Sequence, residues 1–212
     1  MTVRDAMWLA LRDFYANSWL LLAINAALGV ALVAAVLATL AMPLAVIVIA
    51  LTGPLLAALV HCAVTLQRTG NLAVADAWEG LRVHWRHGLV LAFAGAFVFG
   101  SAIFALRFYW TSAIWPLAFL SLYVFVLLLI YELVLWTFAI AEPEQGLRRS
   151  AGEAAGFVAS RPFSTLLLGL VLVLVNIAGI AAAVMPFLTL TVAYTFLATA
   201  HFVLPPTMEE TT

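Results

Sequence analysis

Six long apolar stretches alternate with three polar segments along the chain. The apolar stretches cover residues 19–41, 43–66, 88–106, 116–140, 163–185 and 186–204. At about 1.5 Å of rise per residue, each is long enough as a helix to cross the roughly 30 Å hydrocarbon layer of a bilayer. The pattern therefore predicts six transmembrane helices joined by short connections.

The three polar segments precede residue 19 and occupy residues 67–87 and 141–162. Apolar residues recur in each at the helical period, and the three stripes are Val3, Met7, Leu11 and Phe14; Val74, Trp78, Leu81 and Trp85; and Leu147, Ala151, Ala154 and Val158. Gly146, Gly152 and Gly156 weaken the third helix. Amphipathic helices of this kind typically lie in the plane of the membrane interface.

The arrangement recurs about every 70 residues. Trp8, Leu11 and Arg12 return as Trp78, Leu81 and Arg82, and Leu147 with Arg148 opens a third copy. Each copy also begins its second membrane helix with a proline, which suits a first helical turn because no N–H is needed there; these are Pro43, Pro116 and Pro186. Internal duplication and chance similarity between two-helix hairpins both account for the recurrence.

These patterns predict an all-α integral membrane protein with six transmembrane helices arranged as three hairpins. A cytoplasmic interfacial amphipathic helix precedes each hairpin. Residues 1–212 are expected to form a single membrane domain. Its modules are 1–67, 68–141 and 142–204, followed by a short polar tail at 205–212.

Composition supports a membrane location and narrows the function. Hydrophobic residues make up 67% of the chain, charged residues 9%, and mean hydropathy is +1.16, whereas roughly a quarter of the residues in a soluble domain are charged. The nine basic residues are all arginine, and they are dispersed among ten acidic ones. Nucleic acid is therefore not an expected partner. Cys62 is the only cysteine, which excludes an internal disulfide.

The distribution of arginine predicts the orientation. Eight arginines lie in the N-terminal segment and in the segments 67–87 and 141–162, and only Arg107 lies on the opposite side. Because arginine is enriched in cytoplasmic loops, the prediction is a multi-pass protein with both termini in the cytoplasm.

Residues 51–91 carry a family resemblance. The matching positions are Gly53 and Pro54, then Ala57-Ala58-Leu59, Arg68 with Gly70, and finally Asp76, Trp78, Gly80, Arg82 and Gly88. In these positions the chain resembles the YesL family of predicted bacterial membrane proteins, a domain of unknown function. The resemblance implies a bacterial cytoplasmic (inner) membrane protein that accompanies carbohydrate uptake, with ABC sugar permease components as partners. It supplies no catalytic residues.

Glu132 leads the candidate site because it is the only acid well inside a predicted membrane helix. A carboxylate at the bilayer centre costs about 2.5 to 3.5 kcal/mol unless it is paired, protonated or hydrated. His61 and His201 follow their module prolines by similar distances, so equivalent modules would bring all three side chains together. A functional site and a structural hydrogen bond both remain open, and Asn25 is a further intramembrane polar candidate.

Gly53 and Pro54 are expected to break or kink a membrane helix, because Pro54 has no N–H to donate to the preceding turn. Broken membrane helices often border binding sites, although simple packing kinks are more common. Recognised enzyme motifs are absent from the sequence, so no catalytic residue, metal or cofactor is expected.

The leading functional prediction is a transport-type protein: a small carrier, a channel or an accessory to a carbohydrate uptake system. The alternative is a non-transporting scaffold that binds partners or lipid through its interfacial helices. Lipid and further copies of the chain are expected contacts in either case. A cavity that reaches Glu132 would favour transport, and a solid interior would favour the scaffold.

Overall fold

The computed structural model describes residues 1–41, 50–181 and 190–205. These residues form α-helices and one short 3-10 turn, Pro143–Gln145, with no strand in the described ranges. The helices are α1 (Val3–Ala16), α2 (Ser18–Ala41), α3 (Gly53–Thr69), α4 (Val74–Thr111), α5 (Trp115–Ala141), α6 (Leu147–Ser160), α7 (Pro162–Ala181) and α8 (Val192–Val203).

Four of these helices are long and apolar enough to cross a membrane: α2, α4, α5 and α7. With 17 and 12 residues, α3 and α8 are shorter than a typical crossing of about 20 residues. The described part of the chain therefore contains an all-helical membrane protein with four candidate spans rather than six. Pro43 and Pro186, predicted to begin membrane helices, lie outside the described residues.

The largest departure from the predicted layout is α4, which runs without a break for 38 residues. The pattern of polar and apolar residues instead predicts an interfacial helix here and a separate membrane helix beginning at Gly88. Gly88 is instead an interior helical residue, and its lack of a side chain allows α3 to pack closely. A Cβ at Gly88 would lie 2.6 Å from the Gly53 carbonyl oxygen and 2.9 Å from the Ala57 Cβ.

The helix break predicted at Gly53 and Pro54 coincides with the start of α3. Leu51 and Thr52 form a turn, and Pro54 lies in the first turn of the new helix. Proline is well suited to that position because its missing N–H has no intrahelical partner there. At the other end of α3, Gly70 adopts φ +69°, and its N–H bonds to the Leu66 carbonyl oxygen. Glycine adopts this left-handed conformation without steric cost.

Three helices, α3, α5 and α8, contact one another at the centre of the molecule. Their carboxyl ends meet at one end of the bundle, where side chains of α3 bond to the ends of the other two. The Arg68 guanidinium donates to the Ala141 carbonyl oxygen at 3.2 Å, and the Gln67 amide donates to the Pro205 carbonyl oxygen at 3.0 Å. The three central helices therefore run in the same direction.

Each central helix also packs against one amphipathic segment. The first half of α4 packs on α3, α6 packs on α5, and α1 packs on α8. Tyrosine hydroxyls make two of these connections: Tyr131 donates to the Ala151 carbonyl oxygen at 3.2 Å, and Tyr194 donates to the Met7 carbonyl oxygen at 3.1 Å.

The predicted stripe of α6 packs on the core, with Ala154 fully buried, whereas the buried face differs in part from the predicted stripe in α1 and throughout in the first half of α4. In α1 the fully buried positions are Ala6 and Ala10, whereas Leu11 is exposed. In α4 the predicted apolar stripe faces outward, with Trp78 68% exposed, while Gly80 and His84 pack on α3. Small residues occupy the contact faces because they allow two helices to approach closely. The large apolar residues lie on the outer faces, where they can contact lipid.

Candidate intramembrane site

Glu132 lies on α5 and points toward α4. Its Oε1 accepts a hydrogen bond from Trp136 Nε1, one turn further along α5, at 3.0 Å. On the facing helix, a Cβ at Gly95 would lie 2.8 Å from the same oxygen. Gly95 therefore provides the space that the carboxylate occupies, and Trp136 provides its donor.

The carboxylate adjoins a cavity of about 370 Å³, which we call the Glu132 pocket. Five helices contribute to its wall, with Leu32 from α2, Leu56 from α3, Phe99 from α4, Leu133 from α5 and Phe196 from α8. The cavity is open on one side rather than enclosed. Thr52 and Gly53, at the beginning of α3, also line it.

The wall of the Glu132 pocket consists almost entirely of carbon. Its polar groups are the Glu132 carboxylate, the Trp136 indole N–H and Thr52. None of the described residues that line the pocket is basic. The described lining residues therefore provide one acidic group and two uncharged polar groups, but no cation.

The structure does not bring His61 and His201 to Glu132, as equivalent modules would require. His61 Nδ1 lies 3.2 Å from His84 Nε2, and His201 Nε2 lies 3.0 Å from Asp13 Oδ2. Neither histidine lines the Glu132 pocket. The predicted grouping of the three side chains is therefore wrong, because each histidine faces the amphipathic segment packed on its own helix.

The two imidazoles of His61 and His84 form a compact pair between α3 and α4. Their ring centroids are 5.0 Å apart, and Gly80 leaves room for the His61 ring. His87 is more distant, with its ring centroid 6.5 Å from that of His84. Within the described residues, no group of three histidine, cysteine, aspartate or glutamate side chains is arranged to hold a metal ion.

The candidate Asn25 differs in its surroundings from Asn176, a second asparagine in a candidate membrane helix. Asn176 on α7 donates to Thr195 Oγ1 on α8 at 2.8 Å, which is the cross-helix bond expected of a polar residue in a membrane helix. Asn25 on α2 is only 1% exposed, and neither its amide nitrogen nor its oxygen has a hydrogen-bond partner among the described residues. Asn25 does not line the Glu132 pocket.

Four partners of the candidate residues are not among the residues that the sequence patterns single out: Trp136, Gly95, His84 and Asp13. Trp136 follows Glu132 by four residues, and this i to i+4 spacing places two side chains on one face of a helix. The pair could therefore have been predicted. Gly95, His84 and Asp13 reach their partners only through tertiary packing, and no local pattern indicates them.

No family model, no curated protein and no solved structure matches this chain. The YesL resemblance therefore stays a prediction, and the function must be argued from the site itself.

Proposed function

We propose that this chain is a transport-type membrane protein that binds a small solute in the Glu132 pocket during its passage. The observation that carries the proposal is a cavity that reaches a carboxylate inside a candidate membrane helix. The volume falls at the lower end of the roughly 300–1,000 Å³ typical of small-molecule pockets. A solute that interacts with the carboxylate would offset part of its cost in the bilayer.

The position of the helix break supports this proposal. The turn at Thr52 and the first residue of α3, Gly53, both line the Glu132 pocket. Broken membrane helices commonly form binding sites at such points. In this proposal, a change in the angle of α3 at this turn would change the width of the pocket.

The proposal includes an internal repeat, the number of membrane crossings and the orientation of the chain. Three related modules would each contribute one central helix and one amphipathic segment, and the three pairs α3–α4, α5–α6 and α8–α1 support a pseudo-three-fold duplication. We place the end that carries Arg68 in the cytoplasm of a bacterium, with six crossings in the inner membrane and both termini inside. As the YesL resemblance implies, the proposal includes association with ABC sugar permease components. It also includes self-association.

Thiol accessibility tests the proposed passage without assuming a solute. In a Cys62→Ala background, Leu56→Cys and Ala96→Cys place a thiol in the wall of the pocket. Membrane-impermeant methanethiosulfonates, one cationic and one anionic, are added to right-side-out and inside-out vesicles. We expect at least one reagent to modify each thiol from both faces.

Ala63→Cys is the matched control, because Ala63 is fully buried on the same helix as Leu56 and does not line the pocket. It should stay unmodified from either face. Modification of the pocket thiols from one face only, or from neither, would overturn the transport proposal.

A second candidate function rests on the outward stripe of α4. Val74, Trp78 and Trp85 are large, apolar and exposed, and they face away from α3. A scaffold could use this surface to bind lipid or a partner. Pocket thiols that label from neither face would favour the scaffold.

A further inference from the structure

We infer that the Glu132 pocket selects compact lipophilic monocations. This inference rests on the proposed function, because it names the class of solute that the same pocket would take. It follows from the charge of the pocket, the chemistry of its wall and the position of its carboxylate against Gly95.

The charge balance of the pocket favours a positively charged ligand. Glu132 Oε1 has one neutral donor, Trp136 Nε1, and none of the described lining residues is basic. A cation brought by the ligand would provide the opposite charge that the wall lacks. An anion would instead face the carboxylate without any lining cation, and the low dielectric of the surroundings would strengthen the repulsion.

The wall chemistry favours a ligand with an apolar body. Phe99, Trp136 and Phe196 line the cavity, and aromatic faces attract organic cations. A sugar has many hydroxyl groups, and each loses free energy if it is buried without a hydrogen-bond partner. With only Glu132, Trp136 and Thr52 to offer polar atoms, this pocket does not suit a carbohydrate.

Gly95 fixes the position of the charge within the pocket. The carboxylate oxygen occupies the space where a Cβ would be, at 2.8 Å. The atom in conflict is the end of a flexible side chain, so Gly95→Ala should fold and displace the carboxylate. Gly100, on the same helix, has no atom within 4 Å of an added Cβ, which makes Gly100→Ala a matched control.

Binding of two ions of nearly equal size and opposite charge tests the inference. The purified protein, in nanodiscs of phosphatidylcholine, is titrated with tetraphenylphosphonium and separately with tetraphenylborate, with empty nanodiscs as the blank. We expect saturable binding of the phosphonium and no saturable binding of the borate. Glu132→Gln should weaken phosphonium binding by at least about tenfold, whereas Glu144→Gln, at an exposed position outside the pocket, should leave it unchanged.

If Glu132→Gln does not yield monodisperse protein, the two glycine variants test whether the carboxylate binds the phosphonium. Gly95→Ala should weaken phosphonium binding and Gly100→Ala should not. Equal binding of both ions, no saturable binding of the phosphonium, or an equal response to the two glycine variants would overturn the inference. If pocket thiols label from both faces but the phosphonium does not bind, the cation inference fails while the transport proposal stands.

Discussion

The central helices and the outer part of the α4–α5 hairpin are both apolar, yet the protein buries them very differently. In α8, ten of twelve residues are buried. Across residues 96–129 of the hairpin, only Ala118 is buried. The apolar side chains of the central helices are therefore covered by other protein side chains, whereas those of the outer hairpin are covered by lipid.

Side-chain size separates the two regions more clearly than hydrophobicity does. The buried positions of α3 and α8 include many small residues, such as Ala57, Ala198 and Ala200. The hairpin exposes large ones, among them Phe97 and Phe104. In a membrane, lipid tails are as apolar as leucine, so close packing rather than exclusion of water holds helices together. Small residues permit that packing.

The largest loss of stability should come from truncating a buried side chain on one of the central helices, α3, α5 and α8. Leu59 on α3 is fully buried, and Leu59→Ala should lower the free energy of unfolding by about 2–5 kcal/mol because it leaves a cavity. Leu120→Ala makes the same chemical change in the exposed hairpin, where the expected change is within about 0.5 kcal/mol. Denaturation in detergent, followed by circular dichroism, measures both. Equal losses would show that the comparison of the two regions is mistaken.

A smaller loss of stability is expected from removing a hydrogen bond between α1 and the central helix α8. Tyr194→Phe removes the hydroxyl that donates to the Met7 carbonyl oxygen and should cost about 0.5–1.5 kcal/mol. Tyr123→Phe is the control, because Tyr123 is 55% exposed on the hairpin. The same denaturation experiment applies, and accelerated hydrogen exchange in α1 should accompany the loss. No difference between the two tyrosine variants would mean that this bond does not stabilise the docking of α1.

The smallest effect concerns the exposed start of α1. The Thr2 hydroxyl and backbone N–H both donate to the Asp5 carboxylate, and these bonds lower the pKa of Asp5 below its usual value of 3.8. Since the pKa is lower in the folded state, the stabilisation is present above about pH 4 and is lost as pH falls through the folded-state pKa. Thr2→Ala should raise the pKa of Asp5 toward 3.8 in an NMR titration. Thr111→Ala, at the end of α4, should not change it.

The sequence predicts the helical class and the bounds of α2 and α5 to within a residue, because long apolar runs that end at polar residues are local signals. Glu132 and the break at Gly53 are also visible as local anomalies. The continuity of α4 is not, since Gly88 looks like a helix boundary until its contact with Gly53 is known. The separation of His61 and His201 from Glu132 likewise depends on which neighbour each helix face meets, and equal spacing from a proline does not determine that.

The docking of α1 on α8 has a consequence for biosynthesis. Met7 and Asp13 find their partners, Tyr194 and His201, 187 and 188 residues later in the chain. During translation α1 therefore leaves the ribosome long before the surface that covers Ala6 and Ala10 exists. The packing of α1 on α8 therefore forms only late in synthesis, after nearly all of the other described helices have been made.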